Sequence, residues 1–252
     1  VLRALLLRTA GDLAEALVFL TRLPLPVRRS PCGLGAVVAV FPLAGLVLGL
    51  LLLALDTGSQ AAGLPPTTRN VLIVVALVVL TGGLHLDGLM DTCDGLWGGH
   101  TPRRRLEIMR DSRIGSYGAL GGACILLLKV AGLEALHGTS RAAALALAPA
   151  LARWSIVLAA RLFPPARRDG LGATFRAAVT VPRLVGAASL SLLLAVLVAP
   201  RSGIQAWAVC TALAWLVGRA IARAIGGLTG DSYGALIELN EVAALFVFAL
   251  VS

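Results

Sequence analysis

The sequence predicts an all-α fold, a polytopic integral membrane helical bundle of about seven transmembrane helices with an N-terminal interfacial helix before them. Three observations carry that prediction. Of the 252 residues, 58% are hydrophobic and only 14% charged, with a mean hydropathy of +0.89; a soluble domain is about half apolar and roughly a quarter charged. Several stretches run without Asp, Glu, Lys, Arg or His for about the length that crosses a ~30 Å hydrocarbon layer as a helix, the clearest from Ser30 to Leu55. These stretches are continuous Leu, Ala and Val runs, not the ~10-residue apolar/polar alternation of a membrane barrel.

Residues 1–22 contain Arg3, Arg8, Asp12, Glu15 and Arg22, with Leu13, Leu17 and Leu20 on one helical face, which suits a helix lying in the interface. Asp12 and Glu15 interrupt the apolar region and no small-residue cleavage site precedes the Thr21–Pro26 turn, so a cleaved signal peptide is not expected. Spans are expected at 36–55, 70–86, 115–136, 142–160, 184–199, 204–222 and 235–251. With no linker, low-complexity tract or repeat, 1–252 reads as a single integral membrane domain, 1–30 being the interfacial segment and 31–252 the bundle. Cys32, Cys93, Cys124 and Cys210 are scattered without metal-ligand spacing and read as small apolar fillers.

A net charge of +9 would fit a nucleic-acid binder, but the position of the arginines decides otherwise. Seventeen of the 22 basic residues fall in the N-terminal segment, in loops 87–114 and 161–183 and at the end of the sixth span, against Arg69, Arg141 and Arg201 in the alternate loops. That bias predicts that the first set is cytoplasmic and the C-terminus external, and excludes nucleic acid as the partner.

Eight of the thirteen acidic residues gather at the cytoplasmic ends of spans: Asp87, Asp91, Asp94, Glu107 and Asp111 in one place, Asp231, Glu238 and Glu241 in another. Acids this close to a bilayer are costly unless paired, hydrated or cation-bound, which marks them as functional candidates. In His85–Gly95 (HLDGLMDTCDG) the carboxylates recur at i, i+4 and i+7, one face of a helix. Three anions there repel unless a divalent ion intervenes, and an all-oxygen set favours Mg²⁺ over zinc. A solvated helix end is the plainer alternative, but Gly82, Gly83, Gly88, Gly95, Gly98 and Gly99 around it point to close backbone approach. His85 reads first as a polar interface residue. In the following segment Arg103 and Arg104 suit anchoring, whereas Arg110 and Arg113, interleaved with Asp111, suit a phosphate site. Gly226–Glu241 repeats the design, with glycines, Asp231, then Glu238 and Glu241 at i, i+3. Lys129 and Arg153 fall inside spans, to pair with an acid or, for Arg153, to reach a substrate phosphate. Carboxylate-held Mg²⁺ beside arginines is equipment for displacement at phosphorus.

The runs TGGLHLDGLMDTCDG (Thr81–Gly95), LEIMRDSRIGSYGA (Leu106–Ala119) and LTGDSYGALIELNE (Leu228–Glu241) resemble the cobalamin synthase family, the adenosylcobinamide-GDP ribazoletransferases. FLTRLPLP (Phe19–Pro26) and FPLAGLVLG (Phe41–Gly49) resemble that family's opening, so the likeness covers nearly the whole chain in order. The resemblance implies a Mg²⁺-dependent enzyme of the cytoplasmic (inner) membrane. It would join α-ribazole or its 5′-phosphate to adenosylcobinamide-GDP, releasing GMP and forming adenosylcobalamin or its phosphate in nucleotide-loop assembly. It implies metal binding by Asp87, Asp91 and Asp94, with Asp111, Asp231, Glu238 and Glu241 completing the acidic site as catalytic or metal-binding groups. Arg110 and Arg113, with Arg153 and Lys129 behind them, would meet substrate phosphates; Asp231 and His85 are candidates to activate the ribose hydroxyl. Partners would be the two substrates, the lipid bilayer and other enzymes of nucleotide-loop assembly. Two rivals stand beside this reading. A CDP-alcohol phosphotransferase would need D-G-x-x-A-R, but Asp87-Gly88 is followed by Leu89-Met90-Asp91-Thr92. A carboxylate-lined secondary transporter would show paired repeats, and none is visible.

Overall fold

The computed structural model describes residues 2–26 and 34–251. Arg28, Arg29, Cys32 and the start of the Ser30–Leu55 run lie outside the described residues. In chain order the helices are α1 (Leu2–Leu20), α2 (Leu34–Val37), α3 (Phe41–Ala61), α4 (Pro66–Thr81), α5 (Leu84–Gly98), α6 (Pro102–Ile108), α7 (Ser116–Glu134), α8 (Gly138–Leu162), α9 (Leu171–Ala178), α10 (Val181–Val198), α11 (Pro200–Ile225) and α12 (Gly230–Val251). No strand occurs among the described residues, so the chain is all-α. Six helical segments are long and apolar enough to cross a membrane, and seven if the bent pair α4 and α5 counts as one span.

The middle of the bundle is α8, of which 83% of the most apolar window is buried. Helix α3 can lie close against it because Gly45 and Gly49 present no side chain at the crossing; a Cβ on Gly49 would sit 2.5 Å from the Leu145 and Ala146 carbonyl oxygens. Small residues four apart are the usual means of close approach where lipid removes any hydrophobic drive between helices. Helices α5, α8 and α11 surround α12. The outer helices turn apolar side chains outward, such as Leu127, Leu197 and Leu216, as a lipid-facing surface requires.

Two departures from the sequence reading bear on function. The expected span 70–86 ends early, because Gly82 and Gly83 both take left-handed backbone (φ 64° and 70°) and α5 leaves α4 at 90°. What reads as the start of a long loop is therefore a second helix, and it carries all three aspartates. Helix α1 is also more than a surface helix: Leu17 and Leu20 are buried in one cluster with Phe41, Phe175 and Tyr233.

Candidate active site

Two glycines bring the acidic motifs together. Where α5 crosses the start of α12, a Cβ on Gly88 would lie 2.8 Å from the Asp231 carbonyl oxygen, and one on Gly234 2.9 Å from that of His85. Any side chain at either position would push the helices apart. The crossing places Asp231, in the first turn of α12, beside the α5 carboxylates: the charged neighbours of Asp91 are Asp87, Asp94 and Asp231. Among the described residues neither Asp87 nor Asp91 has a basic partner in an ion pair. The Thr229 hydroxyl donates to Asp231 Oδ2 at 3.2 Å and fixes its orientation.

A cleft of about 860 Å³ opens beside these acids. Its rim carries exposed Asp87 with half-buried Asp231 and Arg167, and its floor holds buried His85, Phe175 and Tyr233. Arg167 donates from Nη2 to the Leu106 carbonyl at 3.0 Å and has Arg110 and Asp231 as charged neighbours. Arg110 and Arg167 thus make a basic pair, of which Arg167 neighbours Asp231. Among the described residues no group of three or more His, Cys, Asp or Glu side chains is close enough to hold a metal ion by itself. The donors nonetheless fit Mg²⁺, which is held by one or two carboxylates and completes its shell with water and substrate phosphate.

Other expected site residues fall elsewhere. Asp94 is buried, and its two carboxylate oxygens accept the backbone N–H groups of Gly115 and Gly118, each at 2.8 Å. It caps the N-terminus of α7, where a negative charge is favourable, so its carboxylate is occupied in joining α5 to α7. Glu238 and Glu241, expected with the metal, lie inside the bundle against the two intramembrane bases. Lys129 Nζ is 2.6 Å from Glu238 and 2.5 Å from Glu241, and Arg153 pairs with Glu241. This arrangement turns Lys129 and Arg153 away from the expected phosphate role and gives both glutamates cations of their own. Arg113 closes on Asp111 at 2.7 Å in the solvent. That bond holds the Asp111 carboxyl down at about 2, which leaves a weak base for catalysis near neutral pH. Arg167, Phe175 and Tyr233 escaped the sequence reading. The signal was the Arg167–Gly170 stretch (RRDG) directly before the strongly amphipathic α9, whose arginines were counted only toward the loop charge bias.

The model of the family described as cobalamin-5-phosphate synthase matches residues 12–249, which take in all three motifs and the whole cleft. The chain belongs to the cobalamin-5-phosphate synthase family. It is similar to proteins named adenosylcobinamide-GDP ribazoletransferase. That of Roseiflexus sp. (strain RS-1) is 45% identical over 242 residues, covering 95% of this chain and 90% of the relative. That of Azorhizobium caulinodans is 42% identical over 94% of this chain and 95% of the relative, and that of Desulfitobacterium hafniense (strain Y51) 40% over 91% and 93%. No solved structure matches the chain. Membership in the cobalamin-5-phosphate synthase family makes this chain a transferase, and displaces the transporter and CDP-alcohol phosphotransferase readings.

Proposed function

We propose that this chain is an adenosylcobinamide-GDP ribazoletransferase, dependent on Mg²⁺, that works at the cytoplasmic face of the inner membrane. The observation that carries the reading is the gathering of Asp87, Asp91 and Asp231 beside one cleft whose lining also holds Arg167, itself a charged neighbour of Asp231 and Arg110. The ribose hydroxyl of α-ribazole, or of its 5′-phosphate, attacks the phosphorus on the cobinamide side of the pyrophosphate. A new P–O bond forms, the bond to the bridging oxygen breaks, and GMP leaves with that oxygen. Asp231, oriented by Thr229, takes the hydroxyl proton. Arg110 and Arg167 bear on the pyrophosphate oxygens, where charge builds as the leaving group departs. Asp87 and Asp91 would hold Mg²⁺, which would supply a counter-charge to the phosphate oxygens.

The cytoplasmic assignment rests on the arginine bias, which is stronger than the raw count. Of the three arginines in the alternate loops, Arg69 and Arg141 both pair with Asp56, at 2.9 and 2.8 Å, which leaves Arg201 as the only one without an ion-pair partner among the described residues.

The test is GMP release from adenosylcobinamide-GDP and α-ribazole by the protein in liposomes. With Mg²⁺ present we expect turnover, and a drop of about 10²–10³-fold in Asp87→Asn and Asp91→Asn, the scale of losing one preorganised electrostatic group. A folded unmodified protein that releases no GMP at any Mg²⁺ concentration would sink the reading; full activity in both variants would remove these ligands and leave the reaction standing.

A further inference from the structure

The rim and the floor of the cleft are chemically unlike. Carboxylates and Arg167 line the rim, whereas the floor is aromatic and largely without charge. Phe175 stands edge-on to Tyr233 with ring centroids 5.0 Å apart and stacks on Phe41 at 5.6 Å, and Phe19 completes the aromatic lining. Two polar atoms interrupt this apolar surface: His85 Nε2 and the Tyr233 hydroxyl are buried and have no hydrogen-bond partner among the described residues. The side chains that carry them are 4% and 5% exposed.

Buried polar atoms are nearly always satisfied, and one left unmet costs about 1–3 kcal/mol. These two therefore point to an occupant. An acyl chain would fill the space and leave both atoms unmet. A phosphate would bring charge to a floor whose nearest cation in the cleft lining, Arg167, sits at the rim. A flat heteroaromatic ring meets both demands, since its faces pack on aromatic side chains and its ring nitrogen takes a hydrogen bond.

We propose that the floor is the subsite for the heterocyclic base of the acceptor nucleoside. Phe19, Phe175 and Tyr233 pack against its ring, and the Tyr233 hydroxyl donates to the ring nitrogen that carries no sugar. The inference rests on the ribazoletransferase reading and deepens it. With the base at the floor, the ribose lies at the rim, where Asp231 and Asp87 meet its hydroxyl. Base selection is then a property of α9 and the first turns of α12.

The test is equilibrium binding of α-ribazole to the full chain in nanodiscs, with displacement by free 5,6-dimethylbenzimidazole and by ribose 5-phosphate, and with GMP binding measured in parallel. Tyr233→Phe keeps the ring and removes only the hydroxyl; Phe175→Leu removes an aromatic wall. Both should weaken α-ribazole about tenfold, the scale of one hydrogen bond or one aromatic contact, while GMP affinity stays within about twofold. The free base should displace α-ribazole from the unmodified protein. Unchanged α-ribazole affinity in Tyr233→Phe, or displacement by ribose 5-phosphate but not by the free base, overturns the subsite and leaves the transferase reading intact. A folded unmodified protein that binds neither α-ribazole nor GMP overturns both.

Discussion

Compare the acids at the cleft rim, Asp87, Asp91 and Asp231, with those inside the bundle, Asp56, Glu238 and Glu241. Every acid of the second group has a base: Asp56 holds Arg69 and Arg141, and Glu238 and Glu241 hold Lys129 and Arg153. The rim acids have mainly each other, with Arg167 near Asp231 alone. Away from water an unpaired charge is so costly that architecture must balance it. An uncompensated cluster persists only where water, a cation or substrate supplies the difference. Acid content alone therefore does not mark a site in a membrane chain; the local charge balance does.

Breaking one of the interior pairs should give the largest effect. Glu241→Gln strips Arg153 of its carboxylate and leaves Lys129 with Glu238 only. We expect a loss of about 3–5 kcal/mol, seen as a lower unfolding midpoint in micelles, because a buried cation is left without its counter-charge. Replacing both partners, Glu241→Leu with Arg153→Met, should recover most of it. If the single variant unfolds like the parent but loses turnover, Glu241 belongs with the rim acids and the division fails.

A smaller effect is expected at Asp94, which lies on the boundary between the groups. Its carboxylate caps α7, so Asp94→Ala should cost about 1–2 kcal/mol. Asp94→Asn keeps an acceptor and should recover a good part of that stability. A metal ligand would behave differently, with Asn as inactive as Ala at unchanged stability. Thermal unfolding and GMP release measured on both variants separate the two roles.

How much of this was legible in the sequence follows from how each feature is encoded. Spans appear as long uncharged runs, so a bundle of six or seven candidate spans was readable from composition. The three motifs were readable because eight of the thirteen acids fall in them. Pairing was not, since Lys129 and Glu241 are 112 residues apart and nothing local says which acid a lone intramembrane lysine will meet. The same limit hid the role of Asp94: its place at i+7 from Asp87 fits a ligand, and only the position of the Gly115–Gly118 turn shows what its oxygens hold. The break that makes α5 a helix separate from α4 was hidden, because the two adjacent left-handed glycines read equally well as the end of a span. The aromatic floor is assembled from α1, α9 and α12, so no single window of sequence contained it.

The smallest effect should come from Asp111, the acid that sequence alone groups with the site and the structure turns to solvent. Its carboxyl is held at about 2, against an ordinary 3.8, chiefly by the Arg113 guanidinium. A depressed value means that the ion pair contributes stability above the unfolded-state pKa and loses it as pH falls through the folded value. The midpoint difference between the parent and Asp111→Asn should therefore be small and constant from neutral pH down to about 4, then vanish toward about 2. Both partners are exposed, so salt should shrink even that difference. Turnover of Asp111→Asn should stay within about threefold of the parent, the scale of an exposed ion pair. A collapse of turnover with stability unchanged would mean that the Asp111–Arg113 pair opens when substrate binds, and would return both residues to the phosphate site.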